Sequence, residues 1–315
     1  MLGDVTTAEA PYYESRFIRA NDPDTARALW LRETLLHSTE GEPVADVWVM
    51  VFDGSGHRAV KQQFPITQAA FDDETWTARI AATELDDRAA SGAITDARWD
   101  LRITPSGCEP VRVLSDRAYR SRVPTAKTMV RDPMARFDGH LEVADLRVDV
   151  DGWIGSVNHN WGSRHTPAYA YGQVCGFDNA PESTLEIVTA RAALGPLLLP
   201  GVTLFVFRHQ GQQFAVRSIA GSLQSHGRYR PFSWTFGARV GEQMIEGQIS
   251  AAPDEVIGLT YADTHGGVKY CYNCAIADCR IQVAGKAFDR AELVSGRAMF
   301  EILTDDRLDT VPLLV

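Results

Sequence analysis

Hydrophobic and polar residues alternate with period two along most of the chain. Ala97 to Ile103 sets Trp99, Leu101 and Ile103 on one face and Arg98, Asp100 and Arg102 on the other, and Phe232 to Gly237 repeats the device with Phe232, Trp234 and Phe236. Such alternation predicts half-buried β-strands, since successive side chains of a strand point to opposite faces. Val47 to Phe52 (VWVMVF) and Val202 to Phe207 (VTLFVF) are apolar on both faces. Each should cover a core on one side and something apolar on the other. Turn residues punctuate these runs at Asp53-Gly54, Asp138-Gly139, Asp151-Gly152 and Gly266-Gly267, as antiparallel hairpins require.

Asp22 to Leu36 is ambiguous, because Asp22-Pro23 could cap a helix. An internal repeat favours a strand. Tyr13, Asn21 and Pro23 match Tyr171, Asn179 and Pro181 at a constant offset, and Phe52 and Gly56 match Phe207 and Gly211 after a shift of about three residues. ARALWLRETLL then aligns with ESTLEIVTARAAL, whose β-branched alternation suits a strand. The expected organisation is all-β, with two similar domains at 1–140 and 141–315, divided near Pro124 and Pro133.

The 315 residues carry a net charge of -10 with 45% hydrophobic residues. That charge argues against a nucleic-acid partner, which needs a basic stripe, and leaves a hydrophobic small molecule as the expected partner, with no defined protein partner. Residues 1–10 lack the basic start and apolar run of a secretory signal, so a soluble, cytoplasmic protein is expected. Loose contact with a membrane that holds an apolar substrate stays compatible with this. Five cysteines make no disulfide scaffold. Cys271, Cys274 and Cys279, with His265 upstream, invite a zinc site, but strand alternation throws Cys271 and Cys274 onto opposite faces, so buried thiols and no metal are expected.

The densest candidate chemistry is Gly152 to His165, GWIGSVNHNWGSRH. Period two places Ser156, Asn158 and Asn160 on one face and His159 with Trp161 on the other, with Arg164 and His165 after Gly162. The same residues would serve as the wall of a site or as a hydrogen-bonded joint between domains. Glu14, on one strand face with Tyr12, would act as a general acid if apolar surroundings kept it protonated. A salt bridge to Arg32 or Arg164 is the alternative use of that carboxyl. Tyr171, Tyr261 and Tyr270 are candidates to line a cavity and to face positive charge with their rings. GxSxG, HExxH, phosphate-loop and dinucleotide motifs are absent from the sequence.

VNHNWGSRH, followed by AYAYGQVCGFD and ESTLEIVTARAAL and preceded by YYESRFIRAND and ALWLRETLL, resembles the lipocalin-like family that includes the carotenoid hydratases (hydroxyneurosporene synthases) and related cyclases. The resemblance implies two consecutive lipocalin-like antiparallel β-barrels and a cofactor-independent hydratase or cyclase acting on an apolar unsaturated substrate, isoprenoid or polyketide-like. Its motif carries over Asn158, His159, Asn160, Trp161, Gly162 and His165. Residue chemistry adds Glu14 and the tyrosines to these: His159 or Glu14 would donate the proton, Asn158 or Asn160 would hold water, and Trp161 and Tyr171 would face the cation. Arg164, His165 and Tyr261 complete the expected substrate contacts. The competing expectation is a non-catalytic carrier of a hydrophobic small molecule, whose cavity would hold few polar groups.

Overall fold

A strand whose two faces meet different surroundings needs two layers, and the computed structural model supplies them as two curled antiparallel sheets. It describes residues 11–194, 197–288 and 290–315, so the leader-sequence expectation on residues 1–10 lies outside it. The first sheet comprises β1 (Tyr12–Asn21), β2 (Ala28–His37), β3 (Val44–Phe52), β4 (Arg58–Pro65), β5 (Ala69–Asp72), β6 (Thr77–Ile80), β7 (Thr83–Leu85), β8 (Ala89–Ile94), β9 (Ala97–Thr104), β10 (Ala126–Val143) and β11 (Leu146–Gly162). The short helix α1 (Asp116–Arg120) lies between β9 and β10. After the short strands β14 (Ala193–Leu194) and β15 (Leu197–Leu198), the second half continues the sheet begun by β12 (Ala168–Phe177) and β13 (Ala180–Arg191). Its further strands are β16 (Val202–His209), β17 (Gln212–Val216), β18 (Ser225–Arg230), β19 (Ser233–Val240), β20 (Gln243–Ser250), β21 (Ile257–Ala262), β22 (Val268–Ala284) and β23 (Ala291–Thr304).

The strand orders are β4-β3-β2-β1-β11-β10-β9-β8-β7-β6-β5 and β17-β16-β13-β12-β23-β22-β20-β19-β18. They superpose as sequences of roles: β1 to β4 correspond to β12, β13, β16 and β17, and β11 and β10 to β23 and β22. The internal repeat is therefore a repeat of barrels, and ALWLRETLL is a strand, as its partner segment implied. Both sheets wrap. Across the first, Thr83 of β7 donates to Glu33 of β2 at 2.8 Å, and across the second, Ser225 of β18 donates to the Thr203 carbonyl of β16 at 2.7 Å. The architecture is the expected pair of lipocalin-like barrels.

The domain boundary needs correction. β11 pairs with β10 and also with β1, which makes Gly152 to His165 the closing strand of the first barrel plus its exit. The crossover is Ser163–Pro167, not 140/141. Pro133, expected as a linker mark, sits in an irregular stretch of β10 where the register shifts between Asp132 and Ala135. A bulge tolerates a residue that cannot donate to the ladder.

The doubly apolar strands are explained by the layering. Val47, Val49 and Val51 fill the first barrel with Ile18, Leu31 and Phe137. Trp48, Met50 and Phe52 point outward and join Phe17 and Trp30 in a cluster continuous with the second barrel. The barrels thus share an apolar seam.

Candidate functional site

A cavity of about 780 Å³ opens within that seam, inside the size range typical of small-molecule sites. The first barrel contributes Tyr13, Phe17, Trp30, Arg32 and Asn160 to it, and the second Tyr169, Tyr171, Tyr261, Met299 and Glu301. Its roof is the β9–β10 connection with α1. Val111 and Val113 of that connection pack with Val130 of β10 and Val206 of β16, which pins the roof to both barrels.

Polar groups from both barrels converge on the cavity, and Arg117, Lys127, Arg191 and Arg217 also border it. Tyr169 donates its hydroxyl to Glu301 Oε1, and Asn273 Nδ2 donates to Oε2 at 2.8 Å. Arg32 Nε donates to Ser15 Oγ at 2.7 Å, and the guanidinium lies 4.8 Å from the Tyr261 ring centre. The His165 ring stacks on Tyr13 at 4.1 Å, with Nδ1 3.5 Å from Asp263 Oδ1. Burial pushes the His165 pKa down despite that carboxylate, favouring neutral imidazole. Burial also raises the phenols of Tyr169, Tyr171 and Tyr261 well above their ordinary value, so they remain hydroxyl donors.

Below the cavity the barrels are stitched by amides and hydroxyls. Ser156 Oγ donates to Gln173 Oε1 at 2.7 Å, Asn158 Nδ2 donates to Ser156 Oγ at 2.9 Å, and Gln173 Nε2 donates to Asn158 Oδ1 at 3.1 Å. Gln173 Nε2 also donates to Glu186 Oε2 at 3.0 Å. Burial raises the Glu186 carboxyl to about 8, against the pull of its hydrogen-bond donors and Arg19.

The two faces of β11 divide as the alternation implied, but into different compartments from those expected for a single site. Asn160, His165, Tyr171 and Tyr261 line the cavity. Asn158 belongs to the stitch rather than the lining. Arg164 is exposed and outside the lining, and Tyr270 is half-buried and also outside it. His159 and Glu14 face the interior of the first barrel. His159 Nε2 is 2.9 Å from Glu14 Oε1, and the His159 ring stacks on Trp161 at 4.4 Å. Trp161 in turn stacks on Tyr119 of α1 at 6.0 Å, so His159 and Trp161 buttress the roof without lining the cavity.

Glu14 has the opposite character from a general acid. Burial alone would raise its pKa, but His159, Arg16 and Tyr12 overcome this and bring it to about 2. Arg16 Nε donates at 3.0 Å and Tyr12 at 2.6 Å. The expected salt bridge exists, but to Arg16 rather than Arg32 or Arg164. Cys271, Cys274 and Cys279 are free and buried in β22, and no cluster of three potential metal ligands occurs among the described residues.

Solved structures share this two-barrel fold. CghA with Sch210972 matches with a TM-score of 0.65 at 10% identity, over 95% of this chain and 90% of that one. Kievitone hydratase from Nectria haematococca matches with a TM-score of 0.52 at 7% identity, over 97% and 93%. An uncharacterized protein of Mycobacterium tuberculosis (MT0513, or Rv0493c in strain H37Rv) is 26% identical over 271 residues, 84% of this chain and 79% of its own. No family model matches the chain.

Arg32, Glu301 and Tyr169 went unassigned as site residues from sequence. For Arg32 a signal existed: it shares its strand face with Trp30 and Thr34, a charge among residues otherwise suited to a wall. Glu301 lies among apolar residues of MFEILT, and its partners Tyr169 and Asn273 come from two other strands.

Proposed function

We propose that the chain is an enzyme of hydratase or cyclase type that acts on a double bond of an apolar small molecule held between the barrels. The carrying observation is that one largely apolar cavity collects Arg32, His165 and the Tyr169–Glu301–Asn273 group. A carrier of apolar molecules needs few such groups, whereas proton chemistry needs several aimed at one place. The fold shared with a kievitone hydratase supports the same reading at the level of analogy. Glu301, relayed by the Tyr169 hydroxyl, moves the proton. In hydration the pair takes a proton from the attacking water while a donor protonates the far carbon. In cyclisation the walls fold the chain and Arg32 polarises a carbonyl. His159, Glu14 and Asn158 hold the roof and the seam.

The substrate reaches the cavity from a bilayer surface. Val123 and Ile219 at the cavity lining are 71% and 74% exposed, Leu223 beside them is 90% exposed, and Arg117, Arg120 and Arg122 are exposed on the roof.

Conjugated polyenes incubated with the full chain and resolved by liquid chromatography and mass spectrometry test the activity. The expected product is the substrate plus one water, or an isomer of shifted retention. Tyr169→Phe and Glu301→Gln should each lower turnover by about 100-fold or more while ligand still quenches tryptophan fluorescence. Ligands that bind but are never converted would favour the carrier. Wild-type turnover in both variants would remove the proton role of this pair.

A further inference from the structure

Resting on the seam cavity as the binding site, we infer that Arg32 is an anion anchor and that the substrate carries a carboxylate or an acidic enol at one end of its apolar body. Arg32 is 8% exposed, yet it makes no ion pair among the described residues. Its single hydrogen bond among the described residues is from Nε to Ser15 Oγ, which leaves both terminal nitrogens without a protein partner on a residue that lines the cavity. The guanidinium is held flat by Tyr261 at 4.8 Å and Trp30 at 5.6 Å, and these rings fix the fork's direction.

A guanidinium at a cavity wall is costly to desolvate without a counter-charge. Glu301 does not supply one at hydrogen-bonding distance. It stands in the second barrel, and both its oxygens already accept from Tyr169 and Asn273. A planar oxyanion matches the free fork of Arg32 through two parallel hydrogen bonds. A bare hydrocarbon filling the same space would strip water from the cation and give nothing back.

The same charge selects the chemistry. A fixed cation disfavours a carbocation formed beside it and favours electron density gathering on a carbonyl oxygen. The double bond acted on is therefore conjugated to the anchored acid or carbonyl, which sets the substrate apart from a carotene.

The test uses parinaric acid, whose conjugated tetraene fluoresces in apolar surroundings, against its methyl ester, with the full chain and its Arg32→Met and Arg32→Lys variants. Wild type should bind the acid about ten- to one-hundred-fold more tightly than the ester, the range of a charge-assisted hydrogen bond lost. Arg32→Met should erase the preference while ester affinity stays within about two-fold, which also shows that the cavity is intact. Arg32→Lys should keep part of the preference, as a point charge without the fork. Equal binding of acid and ester by wild type, or an acid preference that survives Arg32→Met, overturns the anchor alone. Binding of neither probe overturns the cavity as a lipid-like site and the anchor with it.

Discussion

Buried carboxyls in this chain differ in ionisation because their donors differ, and this sets its stability against pH. Glu14 has Arg16, His159 and Tyr12 around it and is brought from 4.5 to about 2, whereas Glu33, deep in the first barrel with Thr83 as its hydrogen-bond donor, is pushed by burial to about 8. For Glu14 the folded value is the lower one, so its stabilisation is present above about 4.5 and is lost as pH falls from there towards 2. The linkage is of the order of 3 kcal/mol at neutral pH. For Glu33 the folded value is the higher one, so stability is greatest below about 4.5 and declines as pH rises towards 8. Urea midpoints between pH 3 and pH 9 should therefore fall at both ends. Glu14→Gln should lower stability at neutral pH and make the acid limb shallower, and Glu33→Gln should raise stability near pH 8 and make the alkaline limb shallower, the rest of that limb belonging to Glu186. Parallel profiles for wild type and both variants would contradict these assignments.

At the scale of elements, β11 is held at two places by glycines that allow backbone to approach backbone. A Cβ on Gly162 would lie 2.0 Å from the Thr125 carbonyl oxygen, and one on Gly155 would lie 1.9 Å from that of Arg19. Gly162→Ala should push β11 from the start of β10, where Thr125 and Ala126 line the cavity. The expected result is a melting temperature several degrees lower and weaker parinaric acid binding, whereas Gly54→Ala, which meets open space, should change neither. A Gly162→Ala chain that melts and binds as wild type does would show that the contact yields freely. The glycines, the alternation and the two faces of β11 were legible in the sequence because they are local. The repeat was legible for the strands that open each barrel, where Tyr13 matches Tyr171 and Phe52 matches Phe207. It was not visible in the closing strands β11 and β23, which misplaced the boundary. Meetings between distant strands, such as Arg32 of β2 facing a cavity shared with Glu301 of β23, have no local periodicity to betray them. The sign of the Glu14 shift was hidden for the same reason: alternation tells that a carboxyl faces inward, not that an arginine and a histidine await it there.

At the scale of the whole molecule, charge is distributed against its sum. The net charge is -10, yet between Arg112 and Arg122 the chain has four basic residues and one acid, Asp116. That segment is the cavity roof, and beside it Leu223 is 90% exposed and Ile219 is 74% exposed. Basic and apolar groups together suit an anionic bilayer, since each surface arginine adds about 1 kcal/mol of attraction and inserted side chains add burial. Flotation with vesicles should recover the protein with phosphatidylglycerol and far less with phosphatidylcholine, and raised salt should release it. Arg120→Glu with Arg122→Glu should weaken this partition by at least about ten-fold, and Leu223→Asp should weaken it further. These three residues do not line the cavity, so parinaric acid binding in solution should be unchanged. Equal recovery with neutral and anionic vesicles, or full recovery of the variants, would mean that the basic roof serves another end. If the bilayer contact holds, the acidic head that Arg32 awaits enters past a collar of arginines, and the field that draws the protein to the membrane also draws the substrate into the seam.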